Sequence, residues 1–256
     1  MKVIASVVAI AAAIIVCTPA MAQKKPDPRR HAVAPAKPAA KAAPKPVPAV
    51  WYDFKGARLG MTMEEWKAVE PPISTSSSSA YTSRDEGPNR IWCSTDRFPD
   101  GKEITGTFYL SDAEKALGVV ACKYAKLWTI TKTYTSLRPS YVKIGEYISD
   151  DVDYKFLDGK LYEINITGSK NLLGDIMDGL TAKFGEPNSK VDDTTQNKAG
   201  ATFPHMERPW LNPVASIHLE TPYTKIDNLN VTFWATDAIT RIGVKKRELH
   251  PAADKM

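Results

Sequence analysis

The segment from Tyr154 to Pro187 limits the fold most tightly, because it runs from a tight hairpin straight into an amphipathic helix. Tyr154, Phe156, Leu161, Tyr162, Ile164 and Ile166 flank Asp158-Gly159. That dipeptide supplies the positive φ angles a two-residue hairpin turn requires. Beyond Gly168, the residues Leu172, Ile176, Leu180 and Phe184 recur at four-residue spacing with Leu173 and Met177 beside them, while Asp175, Asp178 and Lys183 fall off the stripe. This spacing predicts one helix of about four turns. Ser169 can cap its first turn, Gly185 suits a left-handed position past its end, and Pro187 prevents continuation. Burying six large side chains at about 1.5–3 kcal/mol each outweighs any capping contribution, so packing on a sheet must hold this helix. The segment therefore predicts an α+β fold: antiparallel sheet with helices packed on one face.

Elsewhere the pattern is weaker but consistent. Thr62 followed by Glu65 has the form of a capping box and predicts a short helix from Met63 to Val69, stopped by Pro71-Pro72. Ser74 to Ser79 reads as a loop. Two-residue periodicity predicts strands over 91–95, 104–110, 118–124, 128–134 and 142–148, and Asp112 to Leu117 reads as a loop or a helical turn. Asn188 to Val191 reads as a short strand and Asp192 to Gly200 as a polar hairpin or loop, and Pro204, Pro209 and Pro213 interrupt the next segment. Ser216 to Glu220 and Leu229 to Ala235 alternate clearly, with Val231 and Phe233 on one face and Asn230, Thr232 and Trp234 on the other. Helix-then-strands thus occurs twice, suggesting halves at 51–168 and 169–240 of one globular domain over 51–240. Residues 241–256, with Lys245-Lys246-Arg247, read as a flexible C-terminal tail.

The N-terminal part reads differently. Lys2, the apolar run Val3 to Val16 and Ala20-Met21-Ala22 have the form of a signal peptide over 1–22, cleaved after Ala22. The run is shorter than the roughly 20 residues that span a bilayer as a helix. Cys17 raises lipidation as an alternative, against which stands the bulky Val16 before it. From Gln23 to Val50 the chain is rich in Ala, Pro and Lys, a composition that favours an extended, disordered linker without a core. The formal charge is +5, of which Lys2 and the seven basic residues from Lys24 to Lys45, less Asp27, contribute +7, leaving −2 on residues 51–256. The folded part therefore lacks the basic field expected of a nucleic-acid binder, whereas the linker could contact an anionic surface. After export only Cys93 and Cys122 remain, and an oxidising compartment would join them.

Leu59-Gly60-Met61-Thr62-Met63-Glu64-Glu65-Trp66 and Tyr154-Lys155-Phe156-Leu157-Asp158-Gly159-Lys160-Leu161 resemble pieces of small bacterial envelope domains. The nearest are the small lipoproteins of outer-membrane protein assembly and the beta-lactamase-inhibitor-like domains. The resemblance covers about 25 residues and implies a short helix followed by an antiparallel sheet, with a non-catalytic binding role in the envelope.

Catalytic patterns are sparse. The sequence has no Gly-x-Ser-x-Gly elbow, phosphate-cradling glycine loop or His-Glu-x-x-His helix. His218 and Glu220 would share a strand face but lack a third metal ligand nearby in sequence. Asp150, Asp151 and Asp153 lack the glycine and distal glutamate of a calcium loop. No catalytic residue, metal or cofactor is assigned. Trp128, Ile130 and Tyr134 would form one strand face able to bind a protein or glycan if exposed. The sequence reading is a periplasmic or secreted non-catalytic binding protein, whose partner is an envelope protein or a cell-wall component. The alternative is a polysaccharide-acting enzyme with carboxylates in an aromatic-lined cleft.

Overall fold

In the computed structural model, residues 50–72, 88–104, 106–131, 134–140, 142–144, 147–149 and 151–251 are described, without the side chains at 128–135, 143, 147–149 and 151. Residues 1–22, read as a signal peptide, all but the last residue of the segment read as a linker, Ser74–Ser79, read as a loop, and Asp150 lie outside that set. In chain order the elements are β1 (Asp53–Phe54), β2 (Ala57–Arg58), α1 (Met63–Lys67), β3 (Arg90–Cys93), α2 (Asp112–Ala116), β4 (Val120–Thr131), β5 (Tyr134–Pro139), β6 (Val142–Ile144) and β7 (Tyr147–Ser149). They continue with β8 (Asp151–Leu157), β9 (Lys160–Ser169), α3 (Leu173–Phe184), β10 (Val191–Gln196), β11 (Thr202–Leu211), β12 (Ala215–Thr221), β13 (Asn228–Ala235) and α4 (Thr236–Leu249).

The β8–β9 hairpin and α3 form as the sequence predicts. Asp158 and Gly159 both have positive φ, at 51° and 72°, and turn Leu157 back onto Lys160. Ser169 caps a 3-10 turn over Lys170–Leu172 that leads into α3, and Gly185 ends the helix at φ 80°. One antiparallel sheet of nine strands, ordered β10-β11-β12-β13-β9-β8-β4-β3 with β5 also on β4, takes strands from both halves of the chain. The halves therefore share one core. β9 and β13 are its central pair, with Val231 opposite Ile166 and Phe233 opposite Ile164. Ile164, Ile166, Val231, Phe233, Ile217 and Leu219 are buried together with Ile176 and Leu180 of α3.

The capping box at Thr62 and Glu65 starts α1, whose Trp66 packs in tilted contact on Tyr154 and Phe156, with ring centroids 4.8 and 5.2 Å away. Lys155, next to Tyr154 on β8, turns the other way and meets Glu114 of α2 at 2.8 Å. Neighbouring residues of a strand point to opposite faces, so α1 and α2 approach the sheet from opposite sides. Cys93 and Cys122 are cross-strand partners on β3 and β4 with Cα atoms 4.0 Å apart, and they are joined as a disulfide.

Several readings of the sequence are corrected. Helices lie on both faces of the sheet rather than on one, no strand forms over 104–110 among the described residues, the segment read as one strand over 142–148 is the antiparallel pair β6 and β7, and β10 begins at Val191 rather than Asn188. Three more concern β4, β11 and the C-terminal segment. First, β4 is one strand of 12 residues where two were predicted, and Tyr134 begins the next strand, pairing back onto Thr131. Trp128, Ile130 and Tyr134 therefore do not lie along a single strand, and their side chains are outside the described set. Second, β11 runs through Pro204 and Pro209. Pro204 faces only β10 and Pro209 only β12, so each missing N–H falls where the strand has no second neighbour. Third, α4 extends to Leu249 through the segment read as a tail. Its Ala238 is buried against Tyr162 and Leu157, Arg241 pairs with Asp158 at 2.7 Å, and Lys246 and Arg247 sit at the negative end of the helix dipole.

Candidate functional site

Strand alternation sends Ile164 and Ile166 into the core and Glu163, Asn165 and Thr167 to the other face. The same rule on β13 and β12 turns Asn230, Thr232, Trp234, His218 and Glu220 to that second face. The pairing sets them in rows: His218, Thr232, Asn165 and Asp153 run across four strands, and beside them run Ser216, Trp234, Glu163 and Lys155. All of these but Ser216, together with Asn230 and Glu220, floor a cleft of about 370 Å³, with Tyr109 and Tyr223 also lining it. Tyr109 is 83% exposed and Tyr223 42% exposed, so an aromatic rim stands over a polar floor.

The middle of the floor is a ring of hydrogen bonds. Asn165 donates to the Thr232 hydroxyl at 3.1 Å and Asn230 donates to the same oxygen at 2.8 Å. The Thr167 hydroxyl, which has one hydrogen to give, stands within hydrogen-bonding distance of both the Asn230 and Asn165 carbonyl oxygens, at 3.2 and 3.3 Å. Each amide nitrogen carries two hydrogens and places one in the ring, leaving the second for another acceptor. The ring thus holds its members in fixed orientations while keeping donor capacity.

At one end lies a charged chain. Glu114, the capping-box residue of α2, accepts from the Ser111 amide and hydroxyl at 2.7 Å each. It also accepts from Tyr162 at 2.7 Å and from Lys155 at 2.8 Å. Lys155 also meets Glu163 at 3.0 Å, and the Trp234 indole donates to the second Glu163 oxygen at 3.3 Å. Burial pushes the Glu163 carboxyl up, an effect that the Lys155 ammonium only partly offsets. Burial acts on Glu114 in the same direction, but the hydrogen bonds from Lys155, Ser111 and Tyr162 hold it below the usual carboxylate range. For Lys155 burial works against the charge, and the two carboxylates more than reverse that, raising it. Asp153 forms a second pair with the buried Lys123 at 2.8 Å.

At the opposite end, β10, β11 and β12 assemble a cluster absent from the sequence reading. Asp193 and His205 are cross-strand partners, as are Glu207 and Glu220. The His205 Nδ1 meets Asp193 Oδ1 at 2.6 Å, and its Nε2 stands 3.5 Å from Glu207 and 3.7 Å from Glu220. Hydrogen bonding to Asp193, reinforced by the charges of Asp193, Glu207 and Glu220, raises the His205 imidazole above its ordinary value. His218 Nε2 lies 3.7 Å from the other oxygen of Glu207. Ligand atoms of His205, Glu207 and Glu220 all fall within 4.8 Å of one another. His218 and Glu220 do share a face as the sequence indicates, and the third ligand comes from the neighbouring strand. A His-x-Glu step at 205 and 207 beside His-x-Glu at 218 and 220 was the available signal.

Glu163 and Glu220, at the two ends of the cleft, do not converge. Glu163 and Glu220 are two strands and four residues apart, roughly 16 Å at standard sheet spacings, well beyond the 5–9.5 Å of paired glycosidase carboxylates. Asp153 and Glu163 are each matched by a lysine. Among the described residues no helix is long and apolar enough to cross a membrane. Comparison with protein-family models, curated proteins and solved structures found no match to this chain.

Proposed function

We propose that the protein is an exported, non-catalytic binding protein whose polar sheet face holds a hydroxyl-rich component of the cell wall or its glycans. The observation carrying this reading is the hydrogen-bonded set of Asn165, Thr232 and Asn230, with Thr167 against the two amides, in a cleft rimmed by Tyr109 and Tyr223, with Trp234 on its floor. Fixed amides and hydroxyls exchange hydrogen bonds with sugar hydroxyls, and aromatic faces cover the apolar C–H side of a sugar ring. The resemblance to small envelope domains and the form of residues 1–22 agree with a place in the envelope. The test is calorimetric titration of the full chain with soluble peptidoglycan fragments and neutral oligosaccharides. We expect one saccharide class to bind, with affinity at least about tenfold weaker in Tyr223→Ala, an exposed residue outside the hydrogen-bond ring. Lack of binding across the panel, or equal affinity in that variant, sinks the reading.

A second reading, an enzyme acting on polysaccharide, draws on Glu163, whose buried carboxyl is pushed toward the protonated form a general acid uses. It requires release of reducing ends from the bound saccharide that disappears in Glu163→Gln. Such turnover would replace the binding reading.

A further inference from the structure

We propose that His205, Glu207 and Glu220 form a binding site for a divalent transition-metal ion of the zinc class, with Asp193 orienting the histidine and His218 standing beside it. The inference is independent of the ligand assigned to the cleft and rests on different side chains, Glu220 and His218 alone being shared.

Three observations carry it. The first is spacing. Atoms bound to one zinc at about 2.0–2.2 Å in a tetrahedron stand roughly 3.3–3.6 Å apart. The His205 Nε2 lies 3.5 and 3.7 Å from oxygens of Glu207 and Glu220, so small rotations would bring all three onto one ion. The second is orientation. A histidine that ligates through one nitrogen characteristically gives its other N–H to a carboxylate, which fixes the ring. Asp193 Oδ1 occupies that place at 2.6 Å from Nδ1, leaving Nε2 toward the glutamates.

The third is cost. Glu207 and Glu220 face each other directly across β11 and β12, and like charges so placed destabilise a sheet. A cation between them turns that repulsion into coordination. The site is half exposed, with His205 the most covered at 15% side-chain accessibility and Glu220 at 32%, so an ion can enter from solvent. Three protein ligands leave a position for water or for His218. Mixed imidazole and carboxylate donors suit zinc, cobalt or nickel better than magnesium or calcium, which favour all-oxygen sets.

The experiment is titration of the full chain, stripped with chelator and dialysed, with Zn2+, Co2+ and Mg2+, using calorimetry and the visible absorption of bound Co2+. We expect saturation at one Zn2+ per chain and no comparable Mg2+ binding. Asp193→Asn should weaken Zn2+ by about 10–100-fold, and His205→Ala by more. Glu220→Gln, nearly isosteric, tests the same site should His205→Ala fail to fold. His250→Ala controls for adventitious histidine and should bind as the parent does. Absence of saturable Zn2+ binding, equal affinity in His205→Ala or Glu220→Gln, or Mg2+ binding as strong as Zn2+ would overturn the site. Unchanged affinity in Asp193→Asn would overturn the orienting role.

Discussion

The two faces of β9 and β13 are made by the same strands, one fully buried and the other partly open at the cleft, and they are held together by different physics. On one face Ile164, Ile166, Val231 and Phe233 meet α3 and the aromatic cluster of Trp66, Tyr154 and Phe156, and stability there comes from apolar area removed from water. On the other face Glu163, Asn165, Thr232 and Asn230 are covered only because each is paired. Buried polar groups give little net stability and exact a penalty when a partner is lost. Antiparallel sheets commonly carry polar residues on the face away from the core; what marks this face is that those residues are paired with one another, and it is the face that holds the cleft.

The comparison can be tested by mutation, beginning with the largest effect. Trp66→Ala should lose about 3–5 kcal/mol of unfolding free energy, read by denaturant titration, because a cavity opens beneath Tyr154 and Phe156 with no group able to fill it. On the polar face, Lys155→Met should lose about 3 kcal/mol by leaving Glu114 and Glu163 without their cation. Adding Glu114→Gln and Glu163→Gln to it should recover most of that loss, whereas no second substitution nearby should rescue Trp66→Ala. If Lys155→Met alone is neutral, the two faces do not differ as described. Thr232→Val should lose about 1–3 kcal/mol, since both Asn165 and Asn230 forfeit an acceptor at constant volume.

The smallest effects are those of pH, and their signs differ within one charged chain. Glu114 is held below its ordinary value of 4.5 in the folded protein, so the unfolded chain binds more protons as pH falls. Its contribution is complete above that ordinary value and is lost as pH drops through the folded one. Glu163 is raised by burial, so it contributes in the opposite sense, with stability falling as pH rises from its ordinary value through the folded one. Unfolding curves measured across mildly acid pH should therefore show a shallower acid decline in Glu114→Gln and a steeper one in Glu163→Gln. Parallel curves for the two variants would contradict the assignment.

Much of the framework was legible because it rests on local rules. The Asp158-Gly159 turn, the α3 stripe, the Thr62 capping box and the alternation of β12 and β13 each depend on residues within one or two turns of chain. The same capping rule applies to Ser111 and Glu114 and decides between the loop and the helical turn that a short acidic segment with little apolar content left open, in favour of α2. The α4 helix is concealed for a similar reason: its apolar side is narrow, and its burial depends on Tyr162 and Leu157 from the distant hairpin. The prolines of β11 resemble interruptions because sequence does not say on which side a strand has neighbours.

The candidate sites divide along the same line. Alternation alone placed Asn230, Thr232 and Trp234 together and put His218 beside Glu220. The ring through Asn165 and Thr167 and the cluster of His205, Glu207 and Glu220 exist only because β13 pairs with β9, and β11 with β12. By itself, then, the sequence determined the Asp158-Gly159 turn, the starts of α1 and α3, the apolar faces of β8, β9, β12 and β13 and the cysteine pair available for a disulfide, all set by short-range sterics, hydrogen bonding and periodicity. The tertiary structure alone decided which polar faces became one surface, because strand order and register bring together residues as far apart as Glu163 and Trp234, 71 positions from each other, and no local preference encodes that choice.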